Sequence, residues 1–316
     1  MRIISYSKGV PIKFGRESNV ETIFGIDENN QVIQNLTFNC YISPDKDNFC
    51  VGRKKYLFIE KGYLFYSFRY QISFGHYMCQ TVPFLFDFKQ NYNGFKLLVP
   101  SHHNNLFQQR ILELAGIPND QIILLDDETT YEVFEFANRP RFPCIPDFFT
   151  DFQIKAYQMI RQSLQVKPNL SGSRKVYLKR DSKPNEKFGN TEIGILRVIQ
   201  NEDQLIEHLK NRNFEIIWLG DKSVDEKSRL LSNIDILITP WGSNCFNLIF
   251  SNSPKRMFMF GNNHSFGGDY FKQLSEALNN SAIEYRCKYY NIDREIIDPL
   301  NSSNASFKVE LCDFDY

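Results

Sequence analysis

One stretch constrains the fold more than any other: Ser232 to Phe250, SNIDILITPWGSNCFNLIF. Ile234, Ile236, Leu237 and Ile238 form a short apolar run rich in β-branched residues, the mark of a buried strand in a parallel sheet. Pro240 ends the run. Gly242, Ser243 and Asn244 are turn formers, and the chain turns apolar again from Cys245 to Phe250, where a helix is the simplest continuation. Strand, small-residue turn and helix start together put a helix N-terminus at the carboxyl end of a sheet, where free N–H groups are well placed to receive a phosphate. The same pattern also serves as an ordinary strand-to-helix turn with no ligand, and the local sequence leaves both readings open.

The rest of the second half repeats this alternation. RKVYLKRD is a strand with Val176 and Leu178 inward, and NEDQLIEHLKNRNF is a helix with Asn201 as its expected N-cap. EIIWLG is a strand, and SVDEKSRLLSNI is a helix capped by Ser223. RMFMFG, YFKQLSEALNN and IEYRCKYYN add strand, helix and late strand. The pattern predicts a parallel, Rossmann-like domain of four or five strands.

Residues 74 to 140 alternate too: HYMCQTVPFLFDFKQN is a helix that bends or restarts at Pro83, followed by strand FKLLVP, a helix closed by Gly116, and strands IILLDD and YEVFEFAN. Residues 1 to about 70 read as short strands, with EKGYLFYS turning as a hairpin at Lys61-Gly62. A helix over Asp147 to Gln165 and the linker-like KPNLSGSR follow, which sets expected domains at 1–168 and 169–316. The fold expected is therefore α/β, two Rossmann-like domains facing a central cleft, with a β-rich N-terminal segment.

Lys plus Arg equals Asp plus Glu at 37 each, so no global basic field argues for a nucleic-acid partner. The seven cysteines are scattered, with no CxxC pair, which argues against structural zinc and fits reduced thiols. The N-terminus, MRIISYSKGVPIKF, lacks a secretory apolar core, and no apolar run is long enough for a transmembrane segment. The expected location is cytoplasmic, with peripheral membrane association left open.

Taken in order, KVYLKRD, RVIQNEDQLIEHLKNRNFEII, SRLLSNIDILITPWGSNCFNLIFSNSP, MFMFG and YFKQLSEALNNSAIEY resemble the family 61 glycosyltransferases, and FGHYMCQTVPFLFDF resembles that family's upstream His-x-x-x-acid-x-x-Pro segment through His76 and Pro83. The resemblance covers most of residues 73 to 290. It implies a GT-B fold and metal-independent, inverting transfer of a sugar from a nucleotide donor, such as a UDP-sugar, to a glycan or other hydroxyl acceptor. Two positions depart from the family pattern: Gln80 stands at its acidic position, and Trp241 at its His before the glycine-rich turn.

Inverting transfer needs a base for the acceptor hydroxyl and positive charge or dipoles for the leaving diphosphate. No Asp-x-Asp metal motif sits in a suitable loop, so no metal is expected. Arg180, at a strand end, suits a diphosphate through its bidentate guanidinium, or is a surface strand-end arginine. Lys179 alternates to the other face. Gly242, Ser243 and Asn244 offer amides and a hydroxyl; Asn247, one turn on, touches the donor or ties the local turn; Trp241 stacks on a base or sugar, or sits in the core. His76 is the candidate base, with a buried, bonded histidine as the alternative. His264, in a Gly/Asn-rich loop, is a donor contact or a turn residue. His102-His103 and the acidic trio Asp126, Asp127 and Glu128 are weaker candidates at strand ends, as are Tyr270 and Glu276 on the late helix. Two rivals to the transferase stay open: a catalytically silent nucleotide- or sugar-binding relative, and an enzyme of the polysaccharide pyruvyltransferase kind.

Overall fold

The computed structural model describes residues 2–6, 10–12, 16–18, 22–26, 55–65, 74–100, 105–126, 129–137, 149–166, 174–180, 199–251, 254–262, 268–279, 281–291 and 307–315. The sequence readings for His102, His103, Asp127, Glu128, His264 and most of the KPNLSGSR linker lie outside the described residues. The chain divides into two compact units, Met1–Cys144 and Ile145–Tyr316. No helix among the described residues is long and apolar enough to cross a membrane.

The first unit holds β1 (Arg2–Tyr6), β2 (Val10–Ile12), β3 (Arg16–Ser18), β4 (Thr22–Ile26), β5 (Lys55–Leu64), β6 (Lys96–Pro100), β7 (Ile122–Leu125) and β8 (Thr129–Phe136). Six of these form one sheet in the order β4-β1-β8-β5-β6-β7, and β2 pairs with β3 apart from it. Strands β8, β5, β6 and β7 run parallel, whereas β1 is antiparallel to both neighbours. The hairpin expected at Lys61-Gly62 does not form. β5 runs through both residues, pairing Lys61 with Glu135 and Gly62 with Phe136. Gly62 serves close packing instead: a Cβ there would lie 2.8 Å from a Val133 side-chain carbon and 2.9 Å from one of Leu98.

After β5 come α1 (Phe74–His76), a π-helical turn (Tyr77–Thr81) and α2 (Pro83–Asn91). Pro83 has no N–H to bond one α-turn back, so the helix widens, and the Val82 N–H donates to the Tyr77 carbonyl at 3.0 Å. The helix restarts at Pro83, as the sequence led one to expect. Phe84, Leu85 and Phe88 turn inward, and the buried Asp87 carboxylate accepts from Tyr63 Oη and Asn91 Nδ2, both at 2.7 Å. Helix α3 (Leu106–Leu114) opens on a capping box between Asn105 and Gln108 and ends before Gly116, at φ +69°.

The second unit begins with α4 (Asp151–Ser163), capped by Thr150 and Gln153. Then follow β9 (Arg174–Lys179), α5 (Glu202–Lys210), β10 (Phe214–Trp218), α6 (Val224–Leu230), β11 (Ile234–Pro240), a 3-10 helix (Ser243–Phe250), β12 (Arg256–Asn262), α7 (Gly268–Asn279) and β13 (Glu284–Tyr290). The five strands make a wholly parallel sheet in the order β10-β9-β11-β12-β13, the Rossmann-like pattern expected. Tyr177, Ile236, Ile238, Phe258 and Phe260 pack with Leu205 and Leu209 of α5 and with Phe307 and Phe314 near the chain end.

Two local expectations change here. Asn201 stands at the N-cap of α5 as expected, but its side chain makes no capping bond: its Nδ2 donates to the Val309 carbonyl at 2.9 Å, and its Oδ1 accepts from the Val309 N–H at 3.0 Å. That pair of hydrogen bonds pins the C-terminal segment and takes the side chain away from the capping bond. Ser223 does cap α6, in a capping box with Glu226. The helix expected after Gly242 is the tighter 3-10 form, and every residue from Cys245 to Phe250 is buried.

Helix α4, which the expected 168/169 boundary leaves in the first domain, belongs to the second compact unit. Ala156, Tyr157 and Ile160 are buried, and Phe149, just before the helix, stacks on Tyr270 at 3.8 Å and meets Phe246 edge-on. Arg161 donates to the carbonyls of Leu248 and Ser251 and to Asn279 Oδ1, closing the C-terminal end of the 3-10 helix, where a cation is favoured. Burial lowers the Arg161 pKa to about 10.

Candidate functional site

In the second unit, β10 lies on one side of β9, and β11, β12 and β13 lie on the other. The direction of winding therefore reverses between β9 and β11. A reversal of this kind leaves the carboxyl ends of the two strands uncovered by a crossover, which is where open α/β sheets bind ligands. Arg180 follows β9, and Trp241 to Asn244 follow β11, so the topology brings the sequence's foremost phosphate candidates to one place.

The turn is possible because Gly242 adopts φ +150°, ψ −169°, a region essentially closed to side-chain-bearing residues. The Trp241 N–H is spent on the Phe260 carbonyl at 2.6 Å, and the first bond of the 3-10 helix runs from the Cys245 N–H to the Gly242 carbonyl at 3.0 Å. The amides of Ser243 and Asn244 thus precede the helical ladder, as the opening donors of any helix do. Trp241 itself is half-buried.

Arg180 brings a cation to this strand reversal. Its Nη1 is buried and has no hydrogen-bond partner among the described residues. Burial pulls its pKa down, and the Cys245 thiol nearby opposes that shift. Lys179 goes the other way, as strand alternation requires: its Nζ lies 3.5 Å from Glu202 at the start of α5, and Tyr177 Oη donates to the same carboxylate at 2.9 Å. A buried cationic N–H left without an acceptor is costly unless a ligand supplies one.

Side chains tie the two strand ends together. Asn244 Nδ2 donates to the Lys179 carbonyl at 3.3 Å, and Asn247 Nδ2 donates to both the carbonyl and the Oδ1 of Asn244, each at 2.8 Å. Of the two readings for Asn247, tying the turn is the one the contacts display. The sequence did not point to the bond with Lys179, because nothing in a linear string says that positions 179 and 244 are neighbours.

The other described candidates sit on other elements. His76 closes α1 in the first unit. In that unit Asp126 takes part in a strand-end staple, its N–H donating to Tyr131 Oη at 2.8 Å. Tyr270 is buried and not on an exposed face: it packs among Phe149, Phe246 and Phe271. Glu276 accepts from the Ile283 N–H at 3.3 Å, joining α7 to the start of β13. Among the described residues, one group has metal-ligand potential, Glu310, Cys312 and Asp313 at the surface. Lys288 is ion-paired to both of its carboxylates and Arg286 to that of Asp313, so two cations already face the two acids.

A parallel α/β unit whose winding reverses, with an arginine at one strand end and a glycine turn at the next, has the place where open α/β sheets take their ligands. A family model described as Glycosyltransferase 61 matches residues 74–258, more than half of the 316 residues, and the chain belongs to this glycosyltransferase family. No curated protein matches the sequence.

Proposed function

We propose that this glycosyltransferase is inverting and metal-independent, moving a sugar from a nucleotide donor, a UDP-sugar by preference, to a hydroxyl of a glycan acceptor. The observation that carries the reading is the buried Arg180 Nη1, without a partner among the described residues, at the carboxyl end of β9. In the reaction proposed, the acceptor oxygen attacks the anomeric carbon from the face opposite the diphosphate. The anomeric carbon–oxygen bond to the diphosphate breaks with its electron pair, and the acceptor proton passes to a base. The charge that develops on the leaving diphosphate meets Arg180 and the amides of Ser243 and Asn244, which need no reorganisation as the charge grows. His76 is the base in this scheme, since an imidazole titrates near neutrality; Trp241 stacks on the base or sugar, and His264 contacts the donor.

The proposal retains the GT-B arrangement, with the second unit as the donor side and the first as the acceptor side, and a cytoplasmic location. Gln80, an amide where the family pattern has an acid, favours one alternative, a relative that binds the donor without turning it over. The test is a panel of sugar nucleotides, each assayed with chelator present for binding, hydrolysis and transfer. The transferase reading expects binding and turnover of at least one donor, and the silent relative expects binding alone; no binding of any nucleotide removes both. Arg180→Ala should lower kcat/KM by about 100- to 1,000-fold, the scale of one lost oxyanion donor, and an unchanged value would remove Arg180 from the reaction.

A further inference from the structure

The turn after β11 is held by more than its backbone. Asn247 is 2% exposed and sits in a helix whose other buried residues are Cys245, Phe246, Leu248, Ile249 and Phe250. Both protons of its Nδ2 go to Asn244, one to the carbonyl and one to Oδ1, each at 2.8 Å. Two acceptors on that side fix which way the amide points. Its Oδ1 is then left buried with no hydrogen-bond partner among the described residues. An orphan buried acceptor costs stability that an apolar residue of the same shape would not, so the worth of an amide at this position lies in the two bonds its Nδ2 makes. What the amide does is orient Asn244, whose own Nδ2 reaches the Lys179 carbonyl at 3.3 Å, one residue before Arg180.

On the footing of the nucleotide-sugar reading above, we propose that Asn247 is a positioning residue. It holds Asn244 in the rotamer that latches the β11 turn to the end of β9, and so fixes the distance from the Ser243 and Asn244 amides to Arg180. Asn247 acts through Asn244 and does not touch the donor. Either side chain removed alone opens the latch, so removing both does little further harm.

The test is a double-mutant cycle on the full chain, with UDP as the probe, titrated by calorimetry without metal. Asn247→Ala and Asn244→Ala should each weaken UDP binding by about tenfold, and the double variant should bind about as well as either single one, the signature of residues acting as one unit. If the two losses multiply, or if Asn247→Ala binds UDP as the wild type does, the latch is wrong while the donor-site reading stands. If the wild type itself does not bind UDP, the donor-site reading falls, and the latch as stated falls with it. Amide hydrogen exchange gives a second readout that needs no ligand. Asn247→Ala should speed exchange from Ser243 to Asn247 and leave β9 to β13 protected; loss of protection across the whole sheet would mark Asn247 as merely structural and overturn the proposal.

Discussion

Arg180 occupies a place where an apolar side chain would stabilise the fold better. A guanidinium nitrogen buried without a hydrogen-bond partner among the described residues, as Arg180 Nη1 is, carries an uncompensated desolvation cost. Arg180→Met should therefore leave thermal stability unchanged or raise it, while transfer activity falls by the same margin as for the alanine variant. Calorimetric melting beside a donor-turnover assay checks both halves, and a marked loss of stability would recast Arg180 as part of the core. Gly242 makes the opposite case. Its φ of +150° is compatible with glycine alone, so Gly242→Ala should cost roughly 1–3 kcal/mol. Donor binding should suffer with it, because the strain is relieved by moving the amides that follow. Urea unfolding and UDP titration of the same variant measure the two effects together. Glycine at this turn was legible from the sequence; its backbone conformation was not, since a string of residue names carries no dihedral angle.

At the level of single elements, β11 shows how a central strand is anchored at its start. Asp235 lies 2.8 Å from Arg256 Nη2 and 3.6 Å from Lys255 Nζ. Hydrogen bonding to Arg256 holds its carboxyl below the usual range. A depressed folded-state pKa means that the stabilisation is complete above the unfolded value, about 4, and fades as pH falls through the folded value. Asp235→Asn should cost about 1 kcal/mol near neutrality, and the gap to wild type should close in acid. Urea melts at about pH 7 and about pH 3 test this; a gap that is the same at both would exclude the ion pair as its source. The 3-10 helix after β11 is the element whose type the sequence left undecided. Its apolar run, Cys245 to Phe250, reads equally as α-helix, and the tighter form reflects burial on all sides together with anchors at both ends. One anchor is Asn244 on the Lys179 carbonyl, and the other is Arg161 on the Leu248 carbonyl.

For the molecule as a whole, the compact units divide at Cys144 and Ile145, so α4 travels with the second unit. A fragment beginning at Ile145 should fold and unfold cooperatively. One beginning at residue 169, the boundary composition alone indicates, should lose more than about 3 kcal/mol, because it strips Arg161 from two buried carbonyls and uncovers apolar surface on the 3-10 helix and α7. Equal urea midpoints for the two fragments would count against this account of α4. The sequence by itself determined the parallel alternation of the second half, the restart of the first helix at Pro83, the Ser223 cap and the family, because each rests on local periodicity, a missing N–H or an ordered set of segments. Tertiary structure alone decided that Lys61-Gly62 runs straight instead of turning, that the Asn201 side chain binds Val309 in preference to making a capping bond, and that Arg180 and Asn244 meet at one strand reversal. Those outcomes depend on which distant segment arrives as a neighbour, and sheet order, not residue pattern, settles that.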